Sequence, residues 1–437
     1  MRASFIHVAD THLGYEQYGV RERFNDFSRA FWQITQDAVE RQVDFMVIAG
    51  DLFHKRAIDA MTLIHAIEGL KMLKERNIAV IAIAGNHDRS YYRDDISWLQ
   101  FLCHQGYIIL LTPMMQDGAP MLEPWQEESM QGAYVDLMDG RLRVYGLPWQ
   151  GAATARSLEG LARALANARA EEDSKGIEYR LVTMHTGVDG IVGRVQGLPT
   201  MAHFQPLRQY VNYLALGHVH KPYNFDGWMY NPGSTETCGA EEAQWDDRGY
   251  YYVEIDTSEP EHVHHAEHIK SKRRSFVRYD LRVDGLSDPD ALYARLEDYC
   301  QREGSHYHSS DISPIVQVQM NGTLSFDAGS LDLPRIEEMV RNHFRALYVK
   351  IENHTSDQDY IPDEGEIDGR DRSRWHELER RIFEELIGRD NRYQSAKEQW
   401  SSVLAELKHK AIDKDEPTEI ARYLREKRAN LLETQAP

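Results

Sequence analysis

Only three of the 437 residues are cysteine, and Cys103, Cys238 and Cys300 lie far apart without any CxxC pair. A disulfide framework and a cysteine-based zinc site are therefore not indicated, and all three are expected as buried, reduced thiols. No stretch approaches the roughly 18 uninterrupted apolar residues of a membrane helix, and the first residues enter a strand pattern with no charged-then-apolar leader. A cytoplasmic protein without a membrane segment is expected. Basic charge is also short: 50 Lys and Arg against 70 Asp and Glu give a formal net charge of −20. That balance argues against nucleic-acid binding by bulk electrostatics alone, and a nucleic-acid role would draw on bound divalent cations or on basic residues gathered on one face. Internal repeats and low-complexity tracts are missing too.

What is present is an ordinary apolar fraction of 42%, enough for a sizeable core, in a chain long enough for two or three domains. Strand-like and helix-like segments alternate from the start. The run Ser4 to Ala9 is followed by helical periodicity from Phe24 to Gln42, a buried strand pattern from Val43 to Ala49, a helix from Ile58 to Arg76 and a strand from Ile78 to Ala84. Such alternation implies adjacent, largely parallel central strands with helices on the faces. Residues 112–140 are rich in turn formers and read as an excursion before the strand Arg141 to Leu147. A helix near Ala152 to Glu172 and strands at Tyr179 to Met184, Tyr213 to Leu216, Trp228 to Tyr230 and Gly249 to Ile255 follow.

Five short clusters stand where strand patterns end: Asp10-Thr11-His12, Gly50-Asp51-Leu52-Phe53-His54, Gly85-Asn86-His87-Asp88, the single His185, and Gly217-His218-Val219-His220. Carboxyl ends of central strands converge on one edge of a sheet, so residues distant in sequence can meet there. Each cluster alone fits a capped loop or a satisfied core histidine; five at successive strand ends do not. Imidazole and carboxylate together suit Mn, Fe, Zn or Co. Seven candidate ligands exceed one ion's need, and a carboxylate such as Asp51 is suited to bridge two.

These residues resemble the metallophosphoesterase signature. More narrowly, Asp10-Thr-His-Leu-Gly-Tyr15 and Gly50-Asp-Leu-Phe-His54 are similar to the SbcD-type DNA double-strand-break repair nucleases. The motifs cover residues 1 to about 235. The resemblance implies a four-layer α/β/β/α metallophosphoesterase sandwich with a small α+β cap and a C-terminal helical tail. It implies two Mn2+ per subunit, other divalent ions being acceptable to the same donors. One ion would take Asp10, His12, Asp51 and His220, the other Asp51, Asn86, His185 and His218. It makes His87 the catalytic histidine, with Asp88 orienting its ring, and gives His54 a place beside the DNA strand. Lys55 and Arg89 are candidate DNA contacts, with Arg21, Arg23, Arg56, Arg93 and Lys221 as further members of a basic rim.

The expected organisation is a phosphoesterase domain at 1–272, a cap at 273–355, an acidic Gly- and Pro-containing linker at 356–371 and a helical segment at 372–437. The basic run Lys270 to Arg274 reads as a solvated hinge or a phosphate contact. In the tail, Trp375, Leu378, Ile382, Phe383 and Leu386 share one helix face, Gly388 stops that helix, and Trp400, Val403, Leu404 and Leu407 share a second. In the resembled family such a pair docks on an SMC-like coiled-coil ATPase, of SbcC type, and helices matching Ile58 to Leu73 and Tyr91 to His104 form a homodimer bundle. The resulting expectation is a manganese-dependent DNA exonuclease and endonuclease, nucleoid-associated if prokaryotic. The alternatives are a phosphatase or cyclic-nucleotide phosphodiesterase on the same scaffold, or a DNA-end tethering scaffold.

Overall fold

The computed structural model describes residues 1–90, 96–192, 197–258, 263–308, 312–357, 397–412 and 417–433, together with 380, 382–384 and 387. The chain separates into one compact unit at Met1–Thr355 and a second at Ser356–Pro437.

Two six-stranded sheets build the first unit. In spatial order, the first holds His264–Lys270, Gly249–Asp256, Arg2–Val8, Phe45–Ile48, Ala79–Ala82 and Ile109–Leu110. Its last four strands run parallel, with Phe5 opposite Phe45 and Phe45 opposite Ala79, while Gly249–Asp256 pairs antiparallel with the first strand of the chain. The second sheet holds Tyr223–Phe225, Met229–Asn231, Tyr213–Leu216, Tyr179–Met184, Leu142–Leu147 and Tyr134–Leu137, again with a parallel centre.

The period of two along each strand sorts the apolar residues onto opposite faces. Phe5, Phe45, Val47 and Ile81 point inward and pack with Val144, Leu181, Tyr213 and Ala215 of the other sheet. Their alternates Ile6, Val8, Met46, Ile48 and Val80 point outward, onto Phe31, Ile34 and Ala38 of helix Arg21–Glu40 and Ala66, Leu70 and Leu73 of helix Ala60–Lys74. The outer face of the second sheet, through Tyr145, Val182, Met184 and Leu214, meets Leu158, Leu161 and Leu165 of helix Thr154–Ser174. The result is an α/β/β/α sandwich of four layers, whose central strands are buried on both faces. Gly69 allows the two outer helices to approach, since a Cβ there would stand 2.7 Å from the Phe31 ring.

Two local readings change. The turn-rich stretch 112–140 is not a mere excursion: it contains the edge strand Tyr134–Leu137, paired antiparallel with Leu142–Leu147. Helix Arg21–Glu40 starts earlier than its apolar periodicity, because Arg23 and Asp26 in its first turns are buried as an ion pair.

Beyond residue 274, strands Phe276–Arg282, Ile315–Leu324 and Tyr348–Asp357 form a three-stranded sheet in that order. Helices Pro289–Gly304 and Leu333–Phe344 cover it around a separate core that includes Leu281, Leu296, Val318, Ile336 and Phe344. The basic run before it is not a solvated hinge at its end. Arg274 is buried, binding both oxygens of Asp26 at 2.6 and 3.0 Å and the Ser313 carbonyl.

In the second unit, helices Lys397–Ile412 and Pro417–Glu433 are described, and Ile387, Trp400 and Val403 form a small buried cluster with Phe383, Leu404, Leu407 and Tyr423. Trp375, Leu378, Leu386, Gly388 and most of the 356–371 stretch lie outside the described residues, as does Arg93. No helix among the described residues is long and apolar enough to cross a membrane.

Candidate metal centre

All five strand-end clusters meet at one edge of the sandwich. Asp10 follows strand Arg2–Val8, Asp51 follows Phe45–Ile48, Asn86 follows Ala79–Ala82, His185 follows Tyr179–Met184, and His218 and His220 follow Tyr213–Leu216. The chain turns sharply at each end. Asp10, His12, Asp51 and His218 all adopt left-handed backbone, with φ of 52°, 46°, 52° and 80°. Gly50 has φ +91°, and a Cβ there would also strike His185 Nδ1 at 2.3 Å; at Gly85 a Cβ would lie 2.0 Å from Asp51 Oδ1. Glycine at these two positions lets backbone and donor side chains share the space.

The donors fall into two overlapping groups. Asp10, His12 and Asp51 offer atoms within 4.8 Å of one another, and so do Asp51, His185 and His218. His12 Nε2 and His220 Nε2 are 3.0 Å apart, and His220 Nε2 is 3.9 Å from Asp10 Oδ1. On the other side, Asn86 Oδ1 lies 3.2 Å from His185 Nε2 and 3.0 Å from His218 Nδ1. Asp51 reaches both groups, with Oδ2 3.2 Å from His185 Nε2.

The donor chemistry fits divalent cations. His185 Nδ1 donates its proton to the Ala49 carbonyl at 2.7 Å, so the lone pair of Nε2 faces two oxygens, Asp51 Oδ2 and Asn86 Oδ1. Only a proton or a metal ion between them relieves that repulsion. Accordingly, although burial opposes it, the Asp51 charge and hydrogen bond push His185 up to about 9. Burial works against ionising Asp51, but His185 and His12 outweigh it and hold the carboxyl well below the usual range. Burial, followed by His220, keeps His12 well below an ordinary imidazole, so it stands as a neutral donor, and its buried Nδ1 has no partner. Donors about 3 Å apart are what neighbouring positions around an ion with bonds of about 2.0–2.2 Å require.

Around this cluster, His87 Nδ1 lies 2.7 Å from the His54 carbonyl, and the His87 backbone N–H donates to Asp51 Oδ1 at 2.9 Å. Asp88 does not orient the His87 ring. Its carboxylate accepts the backbone N–H groups of Leu52, Phe53 and Gly85 at 3.3, 3.0 and 3.0 Å, tying two strand-end loops together. His54 stacks on Tyr15, ring centroids 3.7 Å apart, and lies parallel to His87 at 5.3 Å. Lys55, Arg56 and Arg21 are exposed, and exposed Arg89 lies over the Trp149 ring. Lys221 is half-buried, with Nζ 3.4 Å from the Ile191 carbonyl. Arg23 leaves the basic rim: it is fully buried, bound to Asp26, Gln17, Glu236 and the Thr237 carbonyl.

Two residues near the donors carried no signal in the sequence. Cys238 is half-buried, not a core thiol, and groups with His12 and His220. Glu242 accepts from His220 Nδ1 at 2.6 Å. Neither follows a strand in a recognisable motif; both lie on the loop 232–248, whose fold brings them under the site.

The profile of the calcineurin-like phosphoesterases matches residues 3–222, just over half of the chain. The chain belongs to that family. This phosphoesterase is 32% identical over 248 residues to the DNA double-strand break repair protein Mre11 of Archaeoglobus fulgidus, covering 55% of this chain and 51% of that protein. It is 27% identical over 286 residues to the protein of the same name from Methanocaldococcus jannaschii, covering 64% and 69%. The match thus spans about half the length of the first of these relatives. The crystal structure of the calcineurin-like phosphoesterase YfkN from Bacillus subtilis is a distant likeness, with a TM-score of 0.36 and 10% identity over 58% of this chain and 84% of that one.

Proposed function

We propose that this phosphoesterase is a manganese-dependent DNA nuclease of double-strand-break repair, hydrolysing phosphodiester bonds as exonuclease and endonuclease. The observation that carries the reading is the convergence of seven oxygen and nitrogen donors from both sheets at one edge of the sandwich, with His87 and His54 beside them. The likeness to repair proteins favours DNA over a small phosphoester. Asp10, His12, Asp51 and His220 would hold one Mn2+, and Asp51, Asn86, His185 and His218 the other. Bound there, the ions would activate water and neutralise phosphoryl charge.

The chain's own residues do the rest. The His87 Nδ1–H donates to the His54 carbonyl, so that in the imidazolium form the second proton sits on Nε2, where it can bond a phosphoryl oxygen or pass to the leaving oxygen. His54, neutral because burial, His87 and Lys55 lower it to about 4, offers with Tyr15 an aromatic platform for a base or sugar. Exposed Lys55 and Arg89 supply phosphate contacts beside it. Exposed Met61 and Ile64 on helix Ala60–Lys74 support a homodimer face, and Leu424, exposed on helix Pro417–Glu433, supports docking of the 372–437 segment on an SMC-like ATPase. The acidic whole fits a working place at the nucleoid only through these local features.

The test is Mn2+-dependent cleavage of end-labelled duplex and single-stranded DNA, alongside a generic phosphodiester. His87→Ala should lower DNA cleavage by about 100- to 10,000-fold while Mn2+ still binds; Asp51→Ala should lose both. Hydrolysis of the small diester with intact DNA would replace the reading by a small-molecule phosphodiesterase of the cyclic-nucleotide kind.

A further inference from the structure

The loop 232–248 holds a buried polar network that the roles above leave unused. Glu242 stands in the short turn Ala240–Gln244 and is buried. Its Oε1 lies 2.6 Å from His220 Nδ1, while Oε2 accepts the Cys238 backbone N–H at 2.8 Å and Arg248 Nη1 at 2.5 Å. Arg248 is fully buried, and its other bonds reach Ser234 Oγ at 3.0 Å, Thr237 Oγ1 at 2.8 Å and the Trp245 carbonyl at 3.0 Å. The carboxylate is therefore locked from behind by a fixed guanidinium.

A carboxylate flanked by two donors has no proton to give, so the shared proton belongs to His220 Nδ1. That leaves the Nε2 lone pair directed toward His12 Nε2 and Asp10. The other half of the site is built differently. There His185 Nδ1 bonds a neutral acceptor, the Ala49 carbonyl. An anionic partner raises the basicity of a ligating imidazole more than a carbonyl does, and such supporting contacts carry about 10- to 100-fold in metal affinity.

We propose that Glu242, held by Arg248, is a positioning residue that fixes the tautomer and orientation of His220 and makes its half of the site the tighter of the two. The inference rests on the reading of Asp10, His12, Asp51 and His220 as metal donors. It implies ordered filling, with the His220 side loading first and the His185 side second.

Calorimetric titration of the metal-stripped full chain with Mn2+ tests it directly. Wild type should show two classes of site. In Glu242→Gln the tighter class should weaken by about 10- to 100-fold with the weaker class unchanged, while the metal-free melting temperature falls because buried Arg248 loses its carboxylate partner; Glu242→Asp should restore part of the lost affinity. A folded Glu242→Gln protein with both affinities intact would overturn the proposal. Should that variant fail to fold, the imidazole 15N spectrum of wild type decides: a proton on His220 Nδ1 supports the assignment and one on Nε2 overturns it. Wild type that binds two ions but cuts no DNA would remove the nuclease function and leave this inference standing, whereas wild type that binds none would remove both.

Discussion

Asp10, His12, Asp51 and His218 occupy a backbone region that non-glycine residues enter at a cost of roughly 1–3 kcal/mol each. Their surroundings over-determine them. The Asp10 N–H bonds the Gly50 carbonyl at 3.1 Å, the His12 N–H bonds the Asp51 carbonyl at 3.1 Å, and the His218 N–H bonds the Asp10 carboxylate at 2.9 Å. Each strained donor is thus pinned by the next strand's loop, and a shift in one travels to the others. Gly85 is the sharpest test at this scale, because its requirement is space and not dihedral freedom: no positive φ is involved, yet an added Cβ meets both Asp51 Oδ1 and the Asp51 backbone nitrogen, at 2.0 and 2.5 Å. Gly85→Ala should displace Asp51 from both halves of the site. The expected result is loss of the Mn2+-induced rise in melting temperature and a fall in cleavage of about 100-fold or more, measured on one preparation.

At the scale of elements, the loops after strands Phe45–Ile48 and Ala79–Ala82 are held together by one side chain. Asp88 accepts three backbone N–H groups, and it is buried. Asp88→Ala strands three buried donors and should destabilise the protein by about 3 kcal/mol or more, read as a lower urea midpoint. Asp88→Asn, which keeps one oxygen acceptor, should lose less. If Asp88 instead served His87 in catalysis, Asp88→Asn would lose cleavage at unchanged stability. The contrast shows where sequence reasoning stops. The strands, their parallel order and the meeting of Asp10, Asp51, Asn86, His185 and His218 were legible because apolar runs of four to seven residues ended in polar clusters, a signal local to each strand. The partner of Asp88 was not, because backbone amides leave no mark in a sequence. The edge strand Tyr134–Leu137 was hidden for a related reason: it is short, and turn residues surround it.

For the whole molecule, contacts between distant segments set the behaviour, and these were the least legible. Arg23 and Arg274, both read as surface charge, converge on Asp26 across 248 residues of chain. Glu242 reaches His220 from a loop without periodicity. The same holds for a set of histidines between the sheets. His7 is fully buried, with Nδ1 3.0 Å from the Tyr213 hydroxyl and Nε2 3.0 Å from the Leu216 carbonyl, an arrangement that the neutral ring satisfies with Nε2 donating to the carbonyl and Nδ1 accepting from the hydroxyl. Burial lowers it to about 3. His264, bridging the hydroxyls of Tyr179 and Tyr230, is lowered by burial to about 4. In the unfolded chain both titrate near 6.5, so below that pH the unfolded state binds protons the folded state refuses, and stability falls as pH falls from about 6.5 toward the folded values. At pH 5, His7 alone should cost about 2 kcal/mol relative to pH 7.5. Thermal unfolding of the metal-stripped protein should therefore show a lower melting temperature at pH 5 than at pH 7.5, and His7→Gln should flatten that dependence while lowering stability at pH 7.5. An equal pH dependence in wild type and variant would assign the acid sensitivity to groups other than this buried imidazole.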